Sequence, residues 1–231
     1  TMDLNSKFLL LQINDAMFPI GAYSHSYGLE TYIQNGIVHD SQTAGEFIRK
    51  KLKYNMLYNE LAFVRFAYEY AKEGVMKDLL DFDEIIEASK TPREIREASQ
   101  KLGSRFVKTV QSMGVDDLDP IFDQFVEAKA NSPIHHATAY GVFCAAANID
   151  LENALDCFLY TQTSGLVVTS VKTIPLSQTS GQQILYSMIE VFDELIEEVM
   201  VMDIKKVGLA SPGFDLRCMQ HEYLYSRLYM S

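Results

Sequence analysis

Leu166-Val167-Val168-Thr169-Ser170-Val171 is the one stretch of this chain that reads locally as a β-strand. Its β-branched side chains are stiff at χ1 and suit an extended backbone. A strand needs a partner, however, and the patterns on both sides are helical. Upstream, Asp150 can cap a helix in which Leu151, Ala154, Leu155, Phe158 and Leu159 recur at helical spacing. Downstream, from about Ser180, the residues Ile184, Leu185, Met188, Ile189, Phe192, Leu195, Ile196 and Val199 form a broad apolar stripe opposite Glu190, Glu194 and Glu197. That stripe predicts one helix with a buried face. A lone strand between two helices has nothing to pair with, so residues 166–171 are read as buried helix and the fold class as all-α.

Helical punctuation continues outward. Phe47 to Tyr70 is a long helical pattern and Asp78 to Ser89 a shorter one. Thr91-Pro92-Arg93-Glu94 predicts a helix start with Thr91 as cap, Pro92 in the first turn and Glu94 closing a capping box, and Gly114 predicts its stop. Asp119-Pro120 marks another start. With no repeat, linker or low-complexity tract, the expectation is a single compact domain over residues 1–231. It would be a bundle of roughly ten helices, with 224–231 as a mobile partner-binding tail.

Composition narrows the function. The chain is 48% hydrophobic and carries 20 Lys plus Arg against 31 Asp plus Glu, a net charge of −11. Such a chain can fill a core, and it repels a phosphate backbone, so nucleic acid is not an expected partner. No apolar run approaches the ~20 residues of a membrane span, and the start of the chain lacks the pattern of a secretory signal. Cys144, Cys157 and Cys218 lie far apart, which suits a reducing cytoplasm.

No motif supports catalysis or a cofactor. Phosphate-binding loops, nucleophile elbows and paired carboxylates are not legible. His221-Glu222-Tyr223-Leu224-Tyr225 begins like a zinc-protease helix but has tyrosine where the second histidine must sit. Adjacent His135 and His136 would point about 100° apart on a helix.

Two segments stand out as interaction sites. Phe18-Pro19-Ile20-Gly21-Ala22-Tyr23-Ser24-His25-Ser26-Tyr27-Gly28 crowds proline, glycines and hydroxyls between apolar patterns. It predicts an ordered loop, read either as a tight connection or as a partner site with Tyr23 and His25 exposed. Tyr223, Leu224, Tyr225, Leu228, Tyr229 and Met230 crowd the last nine residues around Arg227. Tyrosine and arginine are common binding hot spots, although aromatics at helical spacing also dock on a chain's own core.

The loop, extended through Leu29-Glu30, resembles the N-terminal signature of the urease accessory protein F (UreF) family. Met219-Gln220-His221-Glu222 with Tyr225-Ser226-Arg227-Leu228-Tyr229-Met230-Ser231 is similar to its C-terminal signature. Between them, Glu94, Arg96, Gly103, Arg105, His136, Tyr140-Gly141, Gln162, Pro175-Leu176, Gln178, Gly181 and Gln182 resemble family landmarks. Lys172 and Ser177 depart from it, standing where the family usually has arginine and glycine. Lysine lacks the planar fork of arginine, and Ser177 can cap a helix.

The resemblance implies an all-α homodimer without catalytic activity. It would bind the accessory protein UreD/UreH and the GTPase UreG, and reach urease apoprotein through that assembly during nickel insertion. The partner-binding residues expected are Tyr23, His25, His221, Glu222, Tyr225, Arg227, Leu228 and Tyr229, with Lys172 and Gln178 for GTPase recruitment. The rival is a nickel-binding metallochaperone using surface histidines, His25, His135, His136 and His221. Another has Arg96, Arg105 or Arg227 stimulating GTP hydrolysis in trans.

Overall fold

The computed structural model describes residues 3–231, so residues 1 and 2 of the expected domain lie outside the described residues. The described residues are helical without a strand. In chain order the helices are α1 (Leu4–Ile13), α2 (Leu29–Gln34), α3 (Ser41–Lys51), a π-helical segment (Leu52–Leu61), α4 (Ala62–Glu73), α5 (Met76–Ser89) and α6 (Arg93–Met113). They continue with α7 (Ile121–Ala128), α8 (His136–Ala146), α9 (Leu151–Thr173), α10 (Gln178–Ser187), α11 (Ile189–Val201) and α12 (Pro212–His221). Because α3, the π segment and α4 join without a break, the Phe47–Tyr70 pattern is one long helix.

At the centre lies α8, every residue of which is buried. A helix apolar all round must be enclosed, and α4 and α6 pack against it. Gly141 lets α8 and α4 approach closely: a Cβ there would stand 2.5 Å from the Val64 carbonyl oxygen. Rings fill the space around it, with Phe143 edge-on to both Phe106 and Phe122 at centroid distances of 5.7 and 5.4 Å. The Tyr140 hydroxyl satisfies itself inside this core, donating to the Ala154 carbonyl at 2.9 Å and accepting from Asn14 Nδ2 at 2.8 Å.

The β-branched run sits in α9 with Leu166, Val167, Thr169, Ser170 and Val171 buried. Ser170 and Thr173 donate their hydroxyls to carbonyls four residues back, at 2.8 and 2.7 Å. Asp150 caps α9 by accepting from the Asn153 amide, and Gly114 ends α6 in the left-handed conformation.

Two expectations change. The Ser180–Val199 stripe is two helices, broken at Met188. There the Val191 amide bonds to the Met188 carbonyl, while the Ser187 carbonyl is taken by Arg49 Nη2 at 3.2 Å and the Ser187 hydroxyl bonds back to Ile184 at 2.7 Å. Neither proline nor glycine signals that break. The capping box at Thr91–Glu94 does not form either. Pro92 occupies the cap position of α6 without a side-chain bond, and the Glu94 carboxylate is engaged elsewhere.

Candidate functional site

The Phe18–Gly28 segment is an ordered loop joining α1 to α2. Gly21 is left-handed and starts a single 3-10 turn, Ala22–Ser24. Tyr27 and Gly28 are then left-handed in succession, at φ 53° and 84°, and feed the chain into α2. Side chains at such angles are strained, and at position 28 a Cβ would also stand 2.8 Å from Cys218 Sγ on α12. Glycine is therefore required where α2 crosses α12.

That crossing brings Glu30, from the first turn of α2, beside His221, the last residue of α12. His221 Nε2 lies 2.8 Å from Glu30 Oε2, and Nδ1 lies 2.6 Å from Glu94 Oε2. The histidine is wholly buried and Glu30 is 2% exposed. For both ring nitrogens to donate, the ring must be an imidazolium. Arg227 Nη1 adds a second cation 2.5 Å from Glu94 Oε1. Two carboxylates and two cations thus balance, which is what a buried charged cluster requires.

This cluster holds the tail. The Leu228 and Tyr229 amides donate to Glu30 Oε1 and Oε2 at 2.6 and 3.3 Å. Beyond them, the Met230 amide donates to the Ser24 carbonyl and the Ser26 amide to the Ser231 carbonyl, both at 2.8 Å. His25 Nδ1 sits 3.0 Å from the Ser231 hydroxyl. Gln34 Nε2 donates to the Ser226 carbonyl at 2.6 Å, and Arg93 pairs with Glu222 at 2.7 Å. In this arrangement residues 224–231 lie folded back on the loop.

The expected site residues therefore divide in two. Tyr23 (81%), Tyr225 (105%) and Leu228 (77%) face solvent, together with Arg227, while Tyr229 and Glu222 are half-buried. His25 and His221 are buried, contrary to the expected exposure of His25; their bonds fix the loop and the tail. Lys172 and Gln178 are exposed on either side of the turn between α9 and α10, where Ser177 caps α10 by accepting from the Ser180 amide.

The metallochaperone reading required surface histidines, and His25, His135, His136 and His221 are all buried. Both nitrogens of His135 are occupied, by Ser99 Oγ at 2.9 Å and Glu87 Oε2 at 2.6 Å. Burial pushes His136 and His25 down to about 4, with Lys101 and Arg105 adding to the effect at His25. Among the described residues, no three His, Cys, Asp or Glu side chains are placed to hold a metal ion. The three arginines offered as catalytic fingers are all engaged internally: Arg96 with the Lys90 carbonyl, Arg105 with the Ile20 carbonyl and Arg227 with Glu94.

Glu30 and Glu94 are the members that sequence reasoning missed as a pair. They stand 191 and 127 positions from His221, so no local spacing could connect them. Their one signal was position: Glu30 ends the loop signature and Glu94 stands among the landmarks. No helix among the described residues is long and apolar enough to cross a membrane.

The chain is similar to known proteins over most of its length. A family model described as UreF matches residues 38–189. The urease accessory protein UreF of Actinobacillus pleuropneumoniae serotype 5b (strain L20) is 35% identical over 222 residues, covering 96% of this chain and 97% of that protein. The protein of the same name from Haemophilus influenzae (strain PittEE) is 33% identical over 222 residues, covering 96% of this chain and 94% of its own length.

Proposed function

Because this chain belongs to the UreF family of urease accessory proteins, we propose that it acts as a non-enzymatic scaffold. It binds a UreD/UreH accessory protein through the tail surface and recruits and regulates a UreG GTPase for nickel insertion into urease. The observation that carries this reading is the presentation of Tyr23, Tyr225 and Leu228 to solvent on a base fixed by Glu30, His221 and Glu94. Large aromatic and aliphatic side chains presented together at the surface make effective hot spots once the tail is docked.

The roles follow from burial. Tyr23, Tyr225, Leu228 and the accessible faces of Arg227, Tyr229 and Glu222 touch the partner; His25 and His221 position the loop and tail that carry them. In the free chain, residues 224–231 exchange between this docked form and a mobile one, and the partner selects the docked form. Mostly polar bonds hold the tail while its large apolar side chains remain exposed, as expected of a segment of low local stability. Homodimerisation repeats the surface by symmetry. Lys172 and Gln178 form a separate surface for the GTPase, urease apoprotein joins through the assembly, nickel is its cargo, and the work is cytoplasmic.

Size-exclusion chromatography with light scattering, on the chain alone and mixed with its cognate UreD/UreH and UreG, tests the proposal. A dimer that joins both partners is expected. Removing residues 224–231, or changing Leu228→Asp, should abolish the UreD/UreH complex while the helical spectrum is retained. An undiminished complex from both variants overturns the tail assignment, and unaltered GTPase recruitment by Lys172→Ala removes that residue.

A further inference from the structure

A second site lies inside the bundle, around the π-helical segment. In an α-helix, at ~100° per residue, positions 51 and 60 fall on opposite faces. The wider i→i+5 turn of Leu52–Leu61 accommodates those nine residues in roughly two turns, so Lys51 and Glu60 face the same way. They line a cavity of about 60 Å³ with Tyr27, Lys90, His136 and Gln162. By the volume a water needs, that space holds about four non-hydrogen atoms.

The polar groups there are conspicuously underused. Lys51 is only 7% exposed; its Nζ lies 5.0 Å from the Phe214 ring centroid and donates no hydrogen bond to any described side chain or carbonyl. The Tyr27 hydroxyl, the Gln162 amide and the His136 ring likewise make no hydrogen bond with a described residue. The atoms sealed off without a partner are Thr31 Oγ1, Asp83 Oδ1 and Thr138 Oγ1, none of them in this lining; the lining groups are open to an occupant of the cavity, and a largely enclosed ammonium gains most from one that accepts from it. The second ammonium, Lys90, is already matched, with Nζ 2.5 Å from Glu60 Oε1. Although burial works to raise Glu60, Lys90 and Lys51 hold it below its ordinary value, so it remains ionised. His136, pushed down to about 4 by burial, is neutral near pH 7. The lining thus carries one positive charge in excess, on Lys51, with neutral donors beside it; Asp215, which also feels Lys51, is not among the lining residues.

We propose that this cavity binds one small monovalent oxyanion of the carboxylate class. Lys51 Nζ is its counter-ion, and the Tyr27 hydroxyl and Gln162 amide are further donors. A cation is disfavoured because the only lining carboxylate is taken by Lys90. A larger anion does not fit the volume. The site is independent of the tail surface and stands or falls apart from it.

Titration of the full chain with ¹³C-formate, read by NMR line broadening, tests this, with formamide as the uncharged probe of the same shape. Saturable binding of one formate per chain is expected, with formamide weaker by at least about tenfold. Lys51→Met should weaken formate by about tenfold or more, and Tyr27→Phe, which preserves charge and ring, by about threefold. Should Lys51→Met fail to fold, Tyr27→Phe and the formate-to-formamide ratio in the unaltered chain still decide. Equal binding of the two probes, no saturable binding, or formate binding indifferent to these substitutions would assign the cavity to water and overturn the proposal.

Discussion

At the scale of single residues, His221 bears the most consequence per atom. It separates the buried carboxylate of Glu30 from the partly exposed one of Glu94, and removing it leaves both without their shared cation. Breaking a buried pair by deleting one partner costs about 3–5 kcal/mol, so His221→Ala should shift the denaturation midpoint by a corresponding amount. Arg227 pairs with the same Glu94 from a partly exposed position, where ion pairs contribute about 0–1 kcal/mol. Arg227→Ala should therefore leave the midpoint nearly unchanged while weakening partner binding. A large loss of stability from Arg227→Ala, or none from His221→Ala, would reverse the roles assigned to them. None of this was legible in the sequence beyond the residue names: His221 is expected to touch a partner because it stands in the C-terminal signature. What buries it is the meeting of α2 with α12, a tertiary event without local signature.

At the scale of elements, the helices were largely legible because caps and apolar periodicity are local. Asp150 and Gly114 mark their ends as expected, and the β-branched run yields to helix once its flanks enclose it. The misses have physical reasons too. The Met188 break arises because Arg49, from a different helix, takes the Ser187 carbonyl. Glu94 abandons its cap because a buried histidine is the stronger partner. Element packing also decides which glycines matter. Replacing Gly141 by alanine gains about 1 kcal/mol of helix propensity but sets a Cβ against the Val64 carbonyl, and overpacking costs about 1–3 kcal/mol. Gly165 lies in α9 with open space at its Cβ position, so Gly165→Ala should realise the propensity gain unopposed. Thermal unfolding should show Gly141→Ala destabilised and Gly165→Ala stabilised; two shifts of the same sign would refute the close approach of α8 and α4.

At the scale of the whole molecule, buried neutral histidines make the fold sensitive to acid. His25 and His136 fall from an unfolded value of 6.5 to about 4, so between those limits the unfolded chain binds more protons and stability rises with pH. Their contribution is fully present above pH 6.5 and is lost as pH falls toward 4. At about 1.4 kcal/mol per unit it is on the order of 3 kcal/mol for His136 and less for His25, whose surroundings are less closed to solvent. Urea midpoints measured from pH 7 to pH 4 should fall, and the fall should be shallower in His136→Phe; a flat profile would contradict neutral burial. The single-domain architecture was readable from composition and the absence of linkers. The interior cavity was not, because a π turn has no pattern that distinguishes it from α-helix.

The full exposure of Tyr225 has an optical consequence. The chain contains no tryptophan, so its near-ultraviolet emission comes from phenols alone. An indole introduced at position 225 would be the sole fluorophore excited at the red edge, and its starting environment would be bulk water. Any partner that covers the tail would move that emission to the blue, turning the surface into its own reporter.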